Sequence, residues 1–346
     1  MLTLLLTALM LLPAIALAEG PIVIGVNGQD GSKARDANIS WVRMGPYWKD
    51  IHTGFNQFNF AQVDSDNDYA YAHGQNILMI LSGAPTWCGG AMNGNTPCPV
   101  EYWRAYVDAL TRHMYERKLQ GRGGVAAYEI WNEPDSINQS AFGVGWDWWD
   151  LDTYPHRYID YFVEAAKIIH ANDPTALVAG PAMKSSKTRA VTIWQQFENT
   201  FLPDGRNASD LLDVVTFHHN GAEWEHSETI AINIKDRIEN IIRRWNPRNY
   251  RKPVWVTEFG WRADEIGDDS QRIRIKNVLI EMGGGGFGYL RGYNVQKAFI
   301  YRLSGCDGDG GWSIYNCPFG FPRPVVSQYL QTLPFPATQV PWVPRE

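Results

Sequence analysis

The run VAAYEIWNEP, Val125–Pro134, decides how the rest of the chain is read: an apolar stretch breaks off abruptly into Asn132-Glu133-Pro134. Seven other runs have the same apolar character. PIVIGVN starts at Pro21, ISWVRMG at Ile39, NILMILSG at Asn76 and TALVAGPA at Thr175; LDVVTFHHN follows at Leu212, KPVWVTEFGW at Lys252 and VQKAFIYRL at Val295. Amphipathic stretches separate them, among them Glu101–Arg117 and His156–Asp173, whose apolar residues recur at helical spacing. Eight strands alternating with helices imply a parallel sheet, and eight units favour closure into a (β/α)8 TIM barrel, an α/β fold in a single domain. No G-x-G-x-x-G follows the first run, which argues against an open nucleotide-binding sheet. The interval between the first two runs is so short that its helix must be very short.

The 346 residues accommodate such a barrel, and 45% hydrophobic with 20% charged residues fits a globular chain. Residues 1–18 form an apolar leader closing on Ala16-Leu17-Ala18, which predicts a signal peptide followed by a catalytic domain over residues 19–346. No Lys or Arg precedes the leader. Secretion, extracellular or periplasmic, is the expectation, as a monomer with no membrane attachment after cleavage. Four cysteines allow three pairings, and the short separations favour Cys88 with Cys98 and Cys306 with Cys317. Asn38, Asn138 and Asn207 lie in N-x-Ser sequons. A net charge of -6 argues against nucleic acid as a partner.

In a parallel barrel the active site gathers at the carboxyl ends of the strands, so polar residues that end apolar runs are the candidates. These are Arg43, Asn132, Glu133, His218, Glu258 and Tyr301. Glu133 and Glu258 are three βα repeats apart and so should face each other across the mouth. A pair of carboxylates about 5–5.5 Å apart is what double displacement at an anomeric carbon requires. Glu129 alternates with Glu133 and is read as an internal partner for a buried cation. HHNGAEWEH (His218–His226) lacks the spacing of a zinc helix, and no metal or other cofactor is expected. Fifteen tryptophans suit a carbohydrate cleft, since aromatic faces stack on pyranose C–H faces. Those in loops at the catalytic face are Trp48, Trp87, Trp146, Trp148, Trp149, Trp224, Trp261 and Trp312, with GWDWWD (Gly145–Asp150) the first choice for a subsite wall.

YEIWNEPD (Tyr128–Asp135) and VWVTEFGW (Val254–Trp261) resemble the acid/base and nucleophile strands of clan A glycoside hydrolases, closest in length and context to families 39 and 5. The likeness extends through Gly54–Trp87, Asp173–Ala182 and Gly311–Leu330. It implies a retaining β-glycosidase that cleaves a β-linked poly- or oligosaccharide, and internal attack on a plant- or microbial-type polysaccharide is the expectation. Glu133 would be the acid/base, held protonated by burial and by its partner's charge, and Glu258 the ionised nucleophile. Asn132 would bind the sugar 2-hydroxyl, Arg43 would align Glu258, and His218 would face the sugar or orient a carboxylate. Where the clan often reads His-x-Tyr, this chain has His218-His219-Asn220, so Tyr301 is the candidate for the missing tyrosine. A transglycosylase would use the same glutamates, and a non-catalytic carbohydrate-binding barrel is the rival outside enzymes.

Overall fold

The computed structural model describes residues 22–28, 31–37, 39–89, 98–135, 158–184, 188–283, 285–302, 312–314 and 330. The leader, Trp146, Trp148, Trp149, Cys306, Cys317 and the sequons at Asn38 and Asn138 lie outside these residues.

All eight expected strands form: β1 (Val23–Asn27), β2 (Trp41–Met44), β3 (Asn76–Leu81), β4 (Ala127–Ile130), β5 (Leu177–Met183), β6 (Val214–Asn220), β7 (Val254–Gly260) and β8 (Val295–Ile300). Each pairs in parallel with its sequence neighbours, and β8 closes on β1, giving a closed (β/α)8 barrel. The helix after β1 is indeed brief, α1 (Gly31–Asp36). The other outer helices include α2 (Trp48–Ile51), α3 (Ala61–Ala72), α4 (Val100–Leu119), α5 (Tyr158–Asn172), α6 (Thr188–Asn199) and α7 (Ser227–Asp236), the last running on as a π-helical turn over Arg237–Arg243. Among the described residues no helix is long and apolar enough to cross a membrane.

Two layers fill the barrel, and the boundary between them positions the site. Along β4, successive side chains alternate: Tyr128 and Ile130 pack outward under the helices while Ala127 and Glu129 point in. The lower interior layer is apolar, made by Leu78, Ala127, Ala179, Val214, Trp255 and Phe299. Phe299 fits because β1 carries Gly25, where a Cβ would collide with the ring. The upper layer is polar and buried: Asn27, Arg43, Glu129, Thr216, His218 and Thr257. Within this layer Arg43 hydrogen-bonds Asn27, Glu129 and His218, which fixes their orientations before any ligand arrives.

On β7 strict alternation from Trp255 would turn Glu258 away from the interior. The register with β6 steps from Phe217–Val256 to His218–Glu258, and that with β8 from Ala298–Val256 to Ile300–Phe259, so β7 carries one extra residue relative to both neighbours. This bulge resets the alternation and aims Glu258 inward, a common use of bulges beside functional sites.

Candidate active site

Arg43 organises the mouth of the barrel. Its Nε donates to Glu129 Oε2 at 2.7 Å, Nη1 to Asn27 Oδ1 at 2.8 Å and to Glu258 Oε1 at 2.7 Å, and Nη2 to Asn132 Oδ1 at 2.7 Å. Burial works against the guanidinium charge, but the carboxylates of Glu129 and Glu258 outweigh it and raise the Arg43 pKa. Glu129 is therefore the internal counter-ion that the alternation of β4 suggests. Asn132 turns its oxygen to Arg43, which leaves its amide N–H groups to donate outward.

Nη2 of Arg43 also stands 3.2 Å from His218 Nε2. A guanidinium only donates, so Nε2 accepts, and the hydrogen-bond network assigns the ring proton to Nδ1. That Nδ1 lies 2.8 Å from Glu133 Oε1 and 3.6 Å from Glu258 Oε2. His218 thus sits between the two glutamates, donating to the first. One oxygen of each glutamate and a ring nitrogen of His218 all lie within 4.8 Å of one another. Such a set could in principle hold a cation. Here the same atoms are joined by a proton, with Arg43 and Lys184 adding positive charge beside them, which suits acid-base chemistry better than metal binding.

Glu133 is delivered by an unusual backbone. Trp131 (φ 66°) and Glu133 (φ 47°) both lie in the left-handed region, as does Ala182 (φ 52°) at the end of β5. Residues other than glycine held there cost on the order of 1–3 kcal/mol each and cluster at functional sites. Hydrogen bonds from Trp131 N to Leu81 O (2.9 Å) and from Glu133 N to Ala182 O (3.1 Å) hold the turn in place.

The charge state of Glu133 differs from the sequence expectation. Burial pushes its carboxyl up, as anticipated, but the hydrogen bond from His218 and the charge of Lys184, whose Nζ is 3.5 Å from Oε2, outweigh it and hold the carboxyl below its ordinary value. The ligand-free site therefore favours the carboxylate. Neither Lys184 nor Asn27 is among the candidates marked by the sequence; both lie at strand ends, where the same rule that selects Arg43 could find them.

His-x-Tyr is replaced by an arrangement in which Asn220 Nδ2 stands 3.5 Å from Glu258 Oε2. Tyr301 packs edge-on to Trp312, with ring centroids 6.0 Å apart, and both are partly exposed. Trp87 is half-buried, donates its indole N–H to His52 O at 2.7 Å and meets Tyr102 edge-on. The Cys88–Cys98 disulfide forms as expected directly after it.

Two other tryptophans do not fit the expected role. Trp261 is fully buried and gives its N–H to Glu225 O at 2.8 Å. Its ring fills the space that a side chain on Gly221 would need. It is a packing residue with no face open to a sugar. Trp48 is likewise buried, stacked on Tyr106. His219 Nε2 and Glu225 Oε1, from the segment that suggested metal ligands, stand 3.6 Å apart, and burial holds the His219 imidazole below its ordinary value.

No protein-family model matches this sequence. No curated protein matches it either. Solved structures do resemble it. A family 39 glycoside hydrolase from Bacteroides cellulosilyticus superposes with a TM-score of 0.63 at 14% identity, over 90% of this chain and 63% of that one. A monomeric β-xylosidase from Caulobacter crescentus gives 0.57 at 15% identity, over 91% and 69%. An intracellular xylanase from Thermoanaerobacterium saccharolyticum gives 0.58 at 12% identity, over 90% and 95%. The match thus spans less than two thirds of the family 39 chain but nearly all of the xylanase. At these identities the shared property is the barrel fold.

Proposed function

We propose that this chain is a retaining β-glycoside hydrolase with Glu258 as nucleophile and Glu133 as acid/base. The observation that carries the reading is the pair of glutamate oxygens within 4.8 Å of each other at the ends of β4 and β7. An oxygen-to-oxygen approach this close favours the carboxyl spacing of double displacement, about 5–5.5 Å, over the roughly 6.5–9.5 Å that an inverting enzyme needs to admit a water. The barrel fold shared with glycosidases adds support.

In the first step a Glu258 oxygen attacks the anomeric carbon while Glu133 gives a proton to the glycosidic oxygen, which leaves with the bonding electrons. Arg43 keeps Glu258 ionised and fixes its oxygen through the 2.7 Å bond. In the second step water attacks the glycosyl-Glu258 ester, Glu133 takes the water's proton, and Glu258 is released as a carboxylate. Asn132, with its carbonyl oxygen committed to Arg43, offers an N–H to the sugar 2-hydroxyl, a contact that strengthens as oxocarbenium character develops.

A β-linked poly- or oligosaccharide cut internally is the substrate class in this reading, supported by partly exposed Trp87 and Trp312 on separate loops of the catalytic face. Secretion belongs to the same proposal, supported by the Cys88–Cys98 disulfide. Proton NMR of the first-formed product tests the mechanism: a β-anomer before mutarotation supports retention, and an α-anomer rejects it.

A further inference from the structure

Lys184 is the first residue beyond β5, and its backbone is fixed at both ends. Its N–H donates to Asp135 Oδ1 at 3.0 Å, and its carbonyl accepts from Arg237 Nη2 at 2.6 Å. Arg237, where α7 passes into its π-helical turn, also donates from Nη1 to His218 O at 2.6 Å and Met183 O at 3.3 Å. One guanidinium therefore ties the ends of β5 and β6 together beneath the site. The Lys184 side chain, by contrast, is 50% exposed, with its Nζ 3.5 Å from Glu133 Oε2.

This position conflicts with the chemistry just described. Glu133 Oε1 is taken by the Nδ1–H of His218, so Oε2 is the oxygen left to carry the reaction proton. A cation beside that oxygen favours the ionised form and opposes proton donation. Among the described residues, the titratable and charged groups around Glu133 are His218 on β6, Glu258 on β7 with Arg43 of β2 behind it, Arg237 just past α7, Asp135 just past β4, and Lys184. Arg43, His218, Glu258 and Asp135 are buried, and Arg237 is committed to three carbonyls. Among the described residues, Lys184 is the cation that a group on the substrate can reach. An anion drawn to it would neutralise the charge next to Oε2.

We propose that Lys184 is a specificity-determining residue that binds an anionic group, a carboxylate or a sulfate, on the leaving-group side of the scissile bond, and that this pairing frees Glu133 Oε2 to carry the proton. The leaving-group side follows from Oε2 having to meet the departing oxygen. The proposal rests on the glycosidase reading and names its substrate class: β-linked saccharides with an acidic sugar following the cleaved bond.

The test uses the full chain and aryl β-glycosides of the sugar that the enzyme cleaves. The leaving groups are meta-carboxyphenyl and meta-sulfophenyl, each beside its neutral amide counterpart. The wild type is expected to prefer the charged member in kcat/KM by about tenfold, as a charge-assisted contact should give. In K184Q that preference disappears, and the alkaline limb of the pH profile on the neutral substrate moves to higher pH, because Glu133 loses the cation that opposed its protonation. K184R keeps the preference. Whichever anion is preferred identifies the group recognised. A wild type indifferent to charge, or a K184Q variant with both preference and alkaline limb intact, overturns the proposal while leaving the glycosidase reading standing. Cleavage of no glycoside at all, or full activity in E258A, overturns the reading itself.

Discussion

Arg43 Nη1 stands 2.7 Å from Glu258 Oε1 while Nε of the same guanidinium holds Glu129 Oε2 at the same distance, so one buried cation serves both a structural and a candidate catalytic carboxylate. This sharing explains how a second acidic residue can sit deep in the barrel without disturbing the first. Replacing Arg43 by methionine leaves two buried carboxylates without their counter-ion. The expected cost is about 3–5 kcal/mol of folding stability. Activity should fall further than stability explains, since Glu258 loses its alignment. Denaturant melts and kcat/KM on R43M and R43K check this, with R43K restoring part of the stability but little of the rate, because an ammonium cannot span both carboxylates.

The hydrogen bond from His218 and the charge of Lys184 set a second expectation, in pH. Glu133 titrates below its ordinary value of 4.5 in the folded chain, so the unfolded state binds its proton first as pH falls. Its contribution to stability is present above about pH 4.5 and is lost as pH falls below that value. Chemical denaturation from pH 5 to pH 2 should show a shallower acid loss in E133Q than in wild type. Equal slopes would show that Glu133 is not held ionised in the fold.

The Cys88–Cys98 bridge closes a loop with a sequence separation of 10 immediately beyond Trp87. By chain entropy such a cross-link contributes about 2–3 kcal/mol. The C88S/C98S variant should therefore melt lower than wild type, and because the bridge fixes the loop bearing Trp87, its KM for oligosaccharide should rise more than its kcat falls. An unchanged KM would separate the disulfide from substrate binding.

The fold is legible because each strand is a short apolar run bounded by polar residues, and that pattern survives without any knowledge of tertiary contacts. The polar ends of those runs also mark Arg43, Asn132, Glu133, His218 and Glu258, which the structure brings together. Direction and burial are harder to read. Nothing in KPVWVTEFGW announces the bulge that turns Glu258 inward after Trp255, and nothing distinguishes Trp261, sealed behind Gly221, from a tryptophan that faces a cleft. Asn207 shows the same limit: its sequon suggests a glycan, yet the side chain is buried, accepts from Ser209 N at 2.8 Å as a helix cap and donates to Glu198 O at 2.8 Å. Lys184 does not stand out because a lysine past a strand end is ordinary in sequence and acquires meaning only from its distance to Glu133.

The most direct measurement of the central claim is azide rescue of E258A and E133A on an activated aryl β-glycoside, with the product anomer followed by NMR. The two-glutamate account predicts that E258A is inactive alone and recovers with azide to give the α-glycosyl azide, because azide occupies the place of the missing nucleophile. E133A should retain turnover on good leaving groups and, with azide, yield the β-glycosyl azide. Full activity in either variant without azide, or the two azide products exchanged between them, would contradict the roles assigned to Glu133 and Glu258.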